Sequence, residues 1–457
     1  MLFSSISFLY VFLCLTLLIY YAVPKQAKNT VLLIASLLFY FFGEQGYTLL
    51  LLFSSLSDWL HGLYIEAHRG TKKAKIALIS AVTINLLMLG IFKYLDFFIG
   101  ICNSLLGTAI PLTKLPLPIG ISFFTFQTMS YSIDVYRGEA TAQKSLGSFA
   151  TYVCLFPQLV AGPIVRYTDI DAELEERTVT VDRFAAGARR FAVGLGKKVL
   201  LANVLGEFVA AYQSTPNPTV LFAWVSAIAY ALQIYYDFSG YSDMAIGLGH
   251  LLGFTFPENF RYPFCSKNIT EFWRRWHMTM SFWFRDYVYI PLGGNRCSSR
   301  RWIFNVLCVW LLTGLWHGAA WNFVLWGLCY GLILLAEKFF LGDILRRMGP
   351  MTYVYQLFVT LVLFTVFSGT DVLGTLSVMF GGAGLWDSNA LYYIKSYAVV
   401  LLVSCIGATP VVSMAARRVE QTPAVTVLEP LLTAALLVLS TAYLVDGSFN
   451  PFLYFRF

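Results

Sequence analysis

The chain has 457 residues, of which 58% are hydrophobic and 12% charged, with mean hydropathy +0.67. A soluble domain carries about a quarter charged residues, so this composition excludes a large water-soluble fold. The formal charge of +7 is concentrated in loops between apolar runs, which suits a bilayer orientation signal and not a nucleic-acid-binding surface.

In chain order, apolar runs fall at 2–21, 29–42, 47–66, 76–99, 117–136, 184–212, 219–253, 301–315, 318–340, 352–370, 393–409 and 428–445. Runs near the roughly 20 residues that cross a bilayer predict an all-α polytopic membrane protein with about 11–12 transmembrane helices. The first run lacks early basic residues and an A-x-A cleavage site, so it reads as a retained helix and not a signal peptide. The segment 148–162 contains Pro157 and Gly162 and is too short to span comfortably, so it reads as re-entrant. No internal repeat or low-complexity tract is present, and 1–457 reads as one integral membrane domain. The eight cysteines form no CxxC and lie mostly in apolar runs, which predicts neither a disulfide framework nor a metal site.

Basic residues orient the runs. With the N-terminus outside, Lys25, Lys28, Arg69, Lys72, Lys73, Lys75, Arg137 and Lys144 fall inside. The segment 257–301, Lys338, Arg346, Arg347, Arg417 and Arg418 also fall inside, while 43–46, Ser214 to Pro218 and the tail from Asp446 fall outside.

The stretch 256–296 is aromatic and basic, broken by Pro257, Pro263, Pro291 and Gly293-Gly294. Asn268 to Phe284 predicts one amphipathic helix at the inner interface, capped by Asn268 or Thr270, with Trp273, Trp276 and Trp283 at headgroup depth. Arg274 and Arg275 suit the phosphates of a coenzyme A donor, because guanidinium forms paired bonds to phosphate. Their bland reading is the positive-inside signal. His277 follows them, and either faces headgroups or orients a thioester or His317.

The run 301–315 rises about 22 Å at about 1.5 Å per residue, against a bilayer core about 30 Å thick. His317 then lies past the middle of the membrane, at the tip of a helical hairpin. An imidazole at that depth is costly and marks a function by default. Neutral and desolvated, it can take a proton from a hydroxyl, which is worth about 10²–10⁴ in rate, or attack as a nucleophile. The bland reading is a hydrogen-bonded packing histidine. His61 and His68 read as solvated at an inner loop, and His250 as structural. Asp237 and Asp243 predict a buried polar network, with Arg285, Asp286, Asn259 and Arg261 as polar partners. Trp316 reads as a wall of the site.

Several of these residues carry a resemblance. QLVAGPI at 158–164, QIYYDFSGYSD at 233–243, ENF at 258–260, WRRWH at 273–277, YIPLGGNR at 289–296, GLWHG at 314–318 and NPFLYFRF at 450–457 are similar to the membrane-bound O-acyltransferase (MBOAT) family, in its bacterial alginate O-acetylation branch. The resemblance covers most of the chain. It implies the MBOAT fold with re-entrant and interfacial helices, His317 as the catalytic histidine and His277 as the second hallmark. Arg274, Arg275, Trp276, Asn259, Trp316 and Asp237 are then donor-binding or site-lining candidates. Where members often carry Trp-Gly, two or three residues, then His-Gly, this chain reads Trp326-Gly327-Leu328-Cys329-Tyr330-Gly331, and no role is assigned there.

The implied activity moves acetyl from a cytoplasmic donor, acetyl-CoA, through His317 to an extracytoplasmic acceptor. No cofactor is held permanently. The implied partners are the lipid bilayer, an SGNH-type acetyltransferase and a polysaccharide acceptor such as alginate. The implied location is the bacterial cytoplasmic (inner) membrane with both termini outside. Peptidoglycan O-acetylation and D-alanyl transfer to teichoic acid are alternatives within the enzyme class. An exporter or channel-like component would show paired inverted repeats with broken helices in matching places, and none is legible.

Overall fold

The computed structural model describes residues 2–369, 371–419 and 422–447, so the tail motif at 450–457 lies outside the described residues. The described residues form helices and no strand, and the chain is an all-α polytopic membrane protein. Six helical stretches are long and apolar enough to cross a bilayer: Lys25–Ala67, Lys72–Leu106, Val220–Leu252, Trp321–Met348, Met351–Ser368 and Val427–Asp446. The pair Ser388–Ser396 and Ala398–Gly407, bent by 57°, adds a seventh candidate. The first stretch is interrupted at Gln45, whose φ of +33° turns the chain between the predicted runs 29–42 and 47–66. The remaining predicted runs are shorter or more polar helices.

The chain divides into two compact units, 1–191 with 242–257, and 192–241 with 258–457. In the first, α1 (Lys28–Glu44), α2 (Thr48–Ala67) and α3 (Lys72–Leu89) accompany α4 (Ile121–Arg137), which is buried on nearly every face. Several of its polar side chains meet polar partners on the neighbouring helices. Asp58 of α2 accepts from Asn85 Nδ2 of α3 at 2.8 and 3.1 Å and from Ser132 Oγ of α4 at 3.0 Å. Thr128 Oγ1 donates to Asn85 Oδ1 at 3.0 Å. A carboxylate away from water is costly unless hydrogen-bonded in this way, so the network sets the register of three helices.

The predicted re-entrant segment forms α5 (Leu146–Cys154) and α6 (Phe156–Leu159), and every residue from 149 to 165 is buried. Nine helical residues rise only about 13 Å, too little to cross. His61 departs from expectation. It is not a solvated loop residue, since Nδ1 lies 2.7 Å from Ser57 O and Nε2 3.1 Å from Ser80 Oγ. Segments that the charge pattern puts on the inner side come together here. Tyr20 and Tyr21 hydroxyls donate to the Leu252 and Leu251 carbonyls at 2.6 Å each, and Arg177 Nη1 donates to Asn29 Oδ1 at 2.8 Å.

Two helices contribute to both units: α7 (Val181–Gly196) and α8 (Val220–Leu252). In the first unit they meet at Gly187 and Gly247, where a Cβ on Gly247 would lie 2.7 Å from the Gly187 carbonyl. In the second they meet at Gly194 and Gly240 with the same 2.7 Å clearance. Small residues let membrane helices approach backbone to backbone.

The second unit contains α9 (Ile269–Trp273), α10 (Met278–Phe284), α11 (Ser299–His317), α12 (Trp321–Ala336), α13 (Met351–Ser368) and α14 (Val372–Met379). The predicted hairpin is α11 and α12, with His317 as the last residue of α11. A Cβ on Gly314 would lie 2.3 Å from the Phe323 carbonyl, and one on Gly327 would lie 2.3 Å from the Trp310 carbonyl.

The single amphipathic helix expected over 268–284 breaks into α9 and α10. Asn268 does cap the start, its Oδ1 accepting from Glu271 N at 2.7 Å. The break follows because backbone groups are taken elsewhere. Arg261 N–H donates to the Arg275 carbonyl and Met278 N–H to the Asn259 carbonyl, both at 2.9 Å. His277 sits in the gap with φ +43° and ψ 53°, a left-handed conformation costly for a residue with a Cβ.

Candidate active site

His317 is nearly fully buried and enclosed by rings. Trp326 lies 5.1 Å away and Phe367 5.3 Å away, both edge-on at 85°, and Trp316 lies at 5.2 Å. These rings exclude water on several sides of the imidazole. His277 is fully buried. Its ring meets Phe238 edge-on at 4.6 Å and Trp316 at 5.9 Å. Trp316 therefore touches both histidines. Burial first, then the neighbouring His317, pushes the His277 pKa well below its ordinary value, so this imidazole is neutral at pH 7.

Asn259 holds His277 from behind, with His277 Nδ1 at 3.1 Å from Asn259 Oδ1. Thr279 Oγ1 donates to the same oxygen at 2.9 Å. Trp276 is buried in the supporting aromatic layer, stacked on Phe272 at 5.5 Å and edge-on to Phe260 at 5.1 Å. Arg274 is exposed, whereas Arg275 is half-buried and pairs with Glu271 at 2.5 Å.

The polar partners differ from those expected. Asp237 pairs with Lys198 at 2.5 Å, both almost fully buried, and Asp243 with Arg190 at 2.9 Å. Arg285 and Asp286 pair with one another at 2.7 Å. Asp237 precedes Phe238, so its pairing steadies the helix that walls His277.

Sequence reasoning also missed Glu337. Its carboxylate accepts from Ile269 N at 2.7 Å, Thr270 N at 2.9 Å and Thr270 Oγ1 at 2.6 Å, capping the short helix that leads into WRRWH. The available signal was a carboxylate at the end of an apolar run. Tyr330, left without a role, is fully buried among Trp273 at 5.0 Å, Trp326 at 5.0 Å and Trp310 at 5.5 Å.

A cavity of about 490 Å³ lies beside this cluster, with Tyr212, Thr215, Tyr230, Thr365, Ser368 and Asp371 in its wall. Thr365 and Ser368 of the last turn of α13 face it, while Phe367 between them packs on His317. The 213–221 and 371–385 segments meet here, with Val220 N–H donating to the Gly384 carbonyl at 3.0 Å. The charge pattern puts Ser214 to Pro218 on the outer side.

The family profile described as MBOAT, membrane-bound O-acyltransferase family, matches residues 49–379. The chain belongs to this family. The match contains both histidines, Asn259, Glu337 and the α13 turn, so the enclosed site belongs to an integral membrane O-acyltransferase. The acyltransferase is similar to the "Probable alginate O-acetylase AlgI" of Pseudomonas aeruginosa, 42% identical over 378 residues, which is 81% of this chain and 73% of that protein. It is 33% identical over 371 residues to the peptidoglycan O-acetyltransferase of Helicobacter pylori, covering 74% of this chain and 70% of the relative. It is 29% identical over 235 residues to the teichoic acid D-alanyltransferase of Bacillus subtilis, covering 49% and 59%.

Proposed function

We propose that this acyltransferase moves acetyl from cytoplasmic acetyl-CoA to an extracytoplasmic acceptor for O-acetylation of an alginate-like exopolysaccharide. The observation that carries the reading is His317 at the hairpin tip, in a ring cage one helical turn from the outer-side cavity. The acetylation of alginate comes from the name of the Pseudomonas relative. The chain 1–457 acts as one domain in the bacterial inner membrane, with both termini outside. It hands acetyl to an SGNH-type acetyltransferase or directly to the polysaccharide.

His317, as a neutral base, takes the proton of the incoming hydroxyl as the oxygen bonds to the acetyl carbon. The carbon–sulfur bond then breaks and the departing thiolate receives that proton. Arg274, exposed at the inner side, suits the donor's phosphates. The cavity wall, with two tyrosines, an aspartate and hydroxyl side chains, suits a hydroxyl-bearing acceptor. The Helicobacter relative favours a peptidoglycan hydroxyl as the second reading.

Acetyl-CoA turnover by purified protein, and polymer acetylation in cells, test this. His317→Ala is expected to lower both by at least about 10²-fold with the fold retained. Unchanged activity in folded His317→Ala protein overturns the catalytic assignment. An exporter would show no acetyl-CoA turnover even in the wild type.

A further inference from the structure

Asn259 touches two donors with one atom. The Thr279 backbone N–H lies 3.4 Å from Oδ1 and the Thr279 hydroxyl 2.9 Å. A backbone N–H can only donate, so the atom facing it is the amide oxygen and not the amide nitrogen. His277 Nδ1 lies 3.1 Å from that same oxygen. An amide oxygen only accepts, so Nδ1 carries the hydrogen. The imidazole is neutral, which leaves Nε2 with its lone pair. Nε2 is buried and, among the described residues, has no hydrogen-bond partner.

We infer that Asn259 is a positioning residue that locks His277 as its Nδ1–H tautomer, making His277 Nε2 an obligate hydrogen-bond acceptor inside the site. The inference rests on the acyl-transfer reading and deepens it. An acceptor-only nitrogen cannot polarise a thioester carbonyl. It orients a group that brings an O–H or N–H. The lock is rigid because the Asn259 carbonyl also takes Met278 N–H at 2.9 Å, so both the backbone and the side chain of Asn259 tie the segment before α9 to His277–Thr279. The titratable groups around His277 are few. His317 of α11 acts on it directly, and Asp237, next to Phe238 of α8, is engaged by Lys198.

The test is the pH profile of acetyl-CoA turnover by the purified full chain. Asn259→Asp keeps an acceptor of the same shape but places a negative charge on Nδ1–H, which favours the imidazolium. The acid limb of the rate profile is expected to move up by about 1–3 pH units. Asn259→Ala removes the acceptor and is expected to lower kcat about 10–100-fold with little change in KM for acetyl-CoA. A merely structural asparagine moves stability but not the acid limb. If His277→Ala and His317→Ala are inactive while folded Asn259→Asp keeps the wild-type acid limb, the tautomer lock is overturned and the acyl-transfer reading stands. If Asn259→Asp does not fold, an unchanged kcat in folded Asn259→Ala overturns it equally. If both histidine variants keep full activity, the acyl-transfer reading itself fails.

Discussion

The two buried histidines share Trp316 but are held by opposite means. His317 is confined by rings at the end of a regular helix, whereas His277 is held in left-handed backbone by its own bond to Asn259 and by bonds of the flanking Arg275 and Met278 to Arg261 and Asn259. The first kind of position is legible in a sequence, because a histidine in an apolar run stands out. The second is not, because nothing in WRRWH announces a break. The same contrast holds for Asp237. Its burial was legible, but its partner Lys198 lies in another helix and reads as an ordinary basic residue. Asp237→Asn removes the carboxylate from a buried ammonium and is expected to cost about 3–5 kcal/mol, whereas the double change Lys198→Met with Asp237→Leu is expected to be near neutral. Thermal unfolding of the three proteins in detergent measures this, and a cost of under about 1 kcal/mol for the single change would mean the pair is dispensable.

At the scale of elements, α11 and α12 place His317 because glycines let their backbones touch. Gly314 and Gly327 face one another across the hairpin, and a Cβ on either meets a backbone carbonyl of the other helix. Backbone cannot move aside as a flexible side chain can. Gly327→Val is therefore expected to push the hairpin open, at a cost of about 1–3 kcal/mol in stability. Because a displacement of about 1 Å at a reacting group costs on the order of 10² in rate, turnover should fall further than the stability loss explains. Turnover at a temperature where the variant remains folded checks this, and normal kcat there would show that the glycine contact does not position His317. The hairpin itself was legible from a 15-residue apolar run followed by a return. The division of 268–284 into α9 and α10 was not, since amphipathic periodicity continues through the break. Its causes are hydrogen bonds from 259–261 and the carboxylate of Glu337, 68 residues beyond Ile269.

For the whole molecule, the charge pattern makes a topological claim that the packing can be set beside. Segments that the charge pattern assigns to the inner side meet within the first unit, and 213–221 meets 371–385 within the second. A cysteine introduced by Ser214→Cys, with exposed Cys14, Cys102 and Cys405 replaced by serine, is expected to react with an impermeant maleimide added outside intact cells. Reaction only after the cytoplasmic side is opened would reverse the orientation and with it the acceptor's side of entry. By itself, the sequence determined the membrane class, the apolar runs, the position of His317 at a turn and the family motifs. Each of these depends on hydropathy, charge or identity within a short window. Only the tertiary structure decided the ring cage of His317, the break at His277, the partners of Asn259, Asp237 and Glu337, and the cavity behind Phe367. Those are contacts between distant residues, and a buried polar group takes whichever partner the packing brings within reach, which local sequence does not encode.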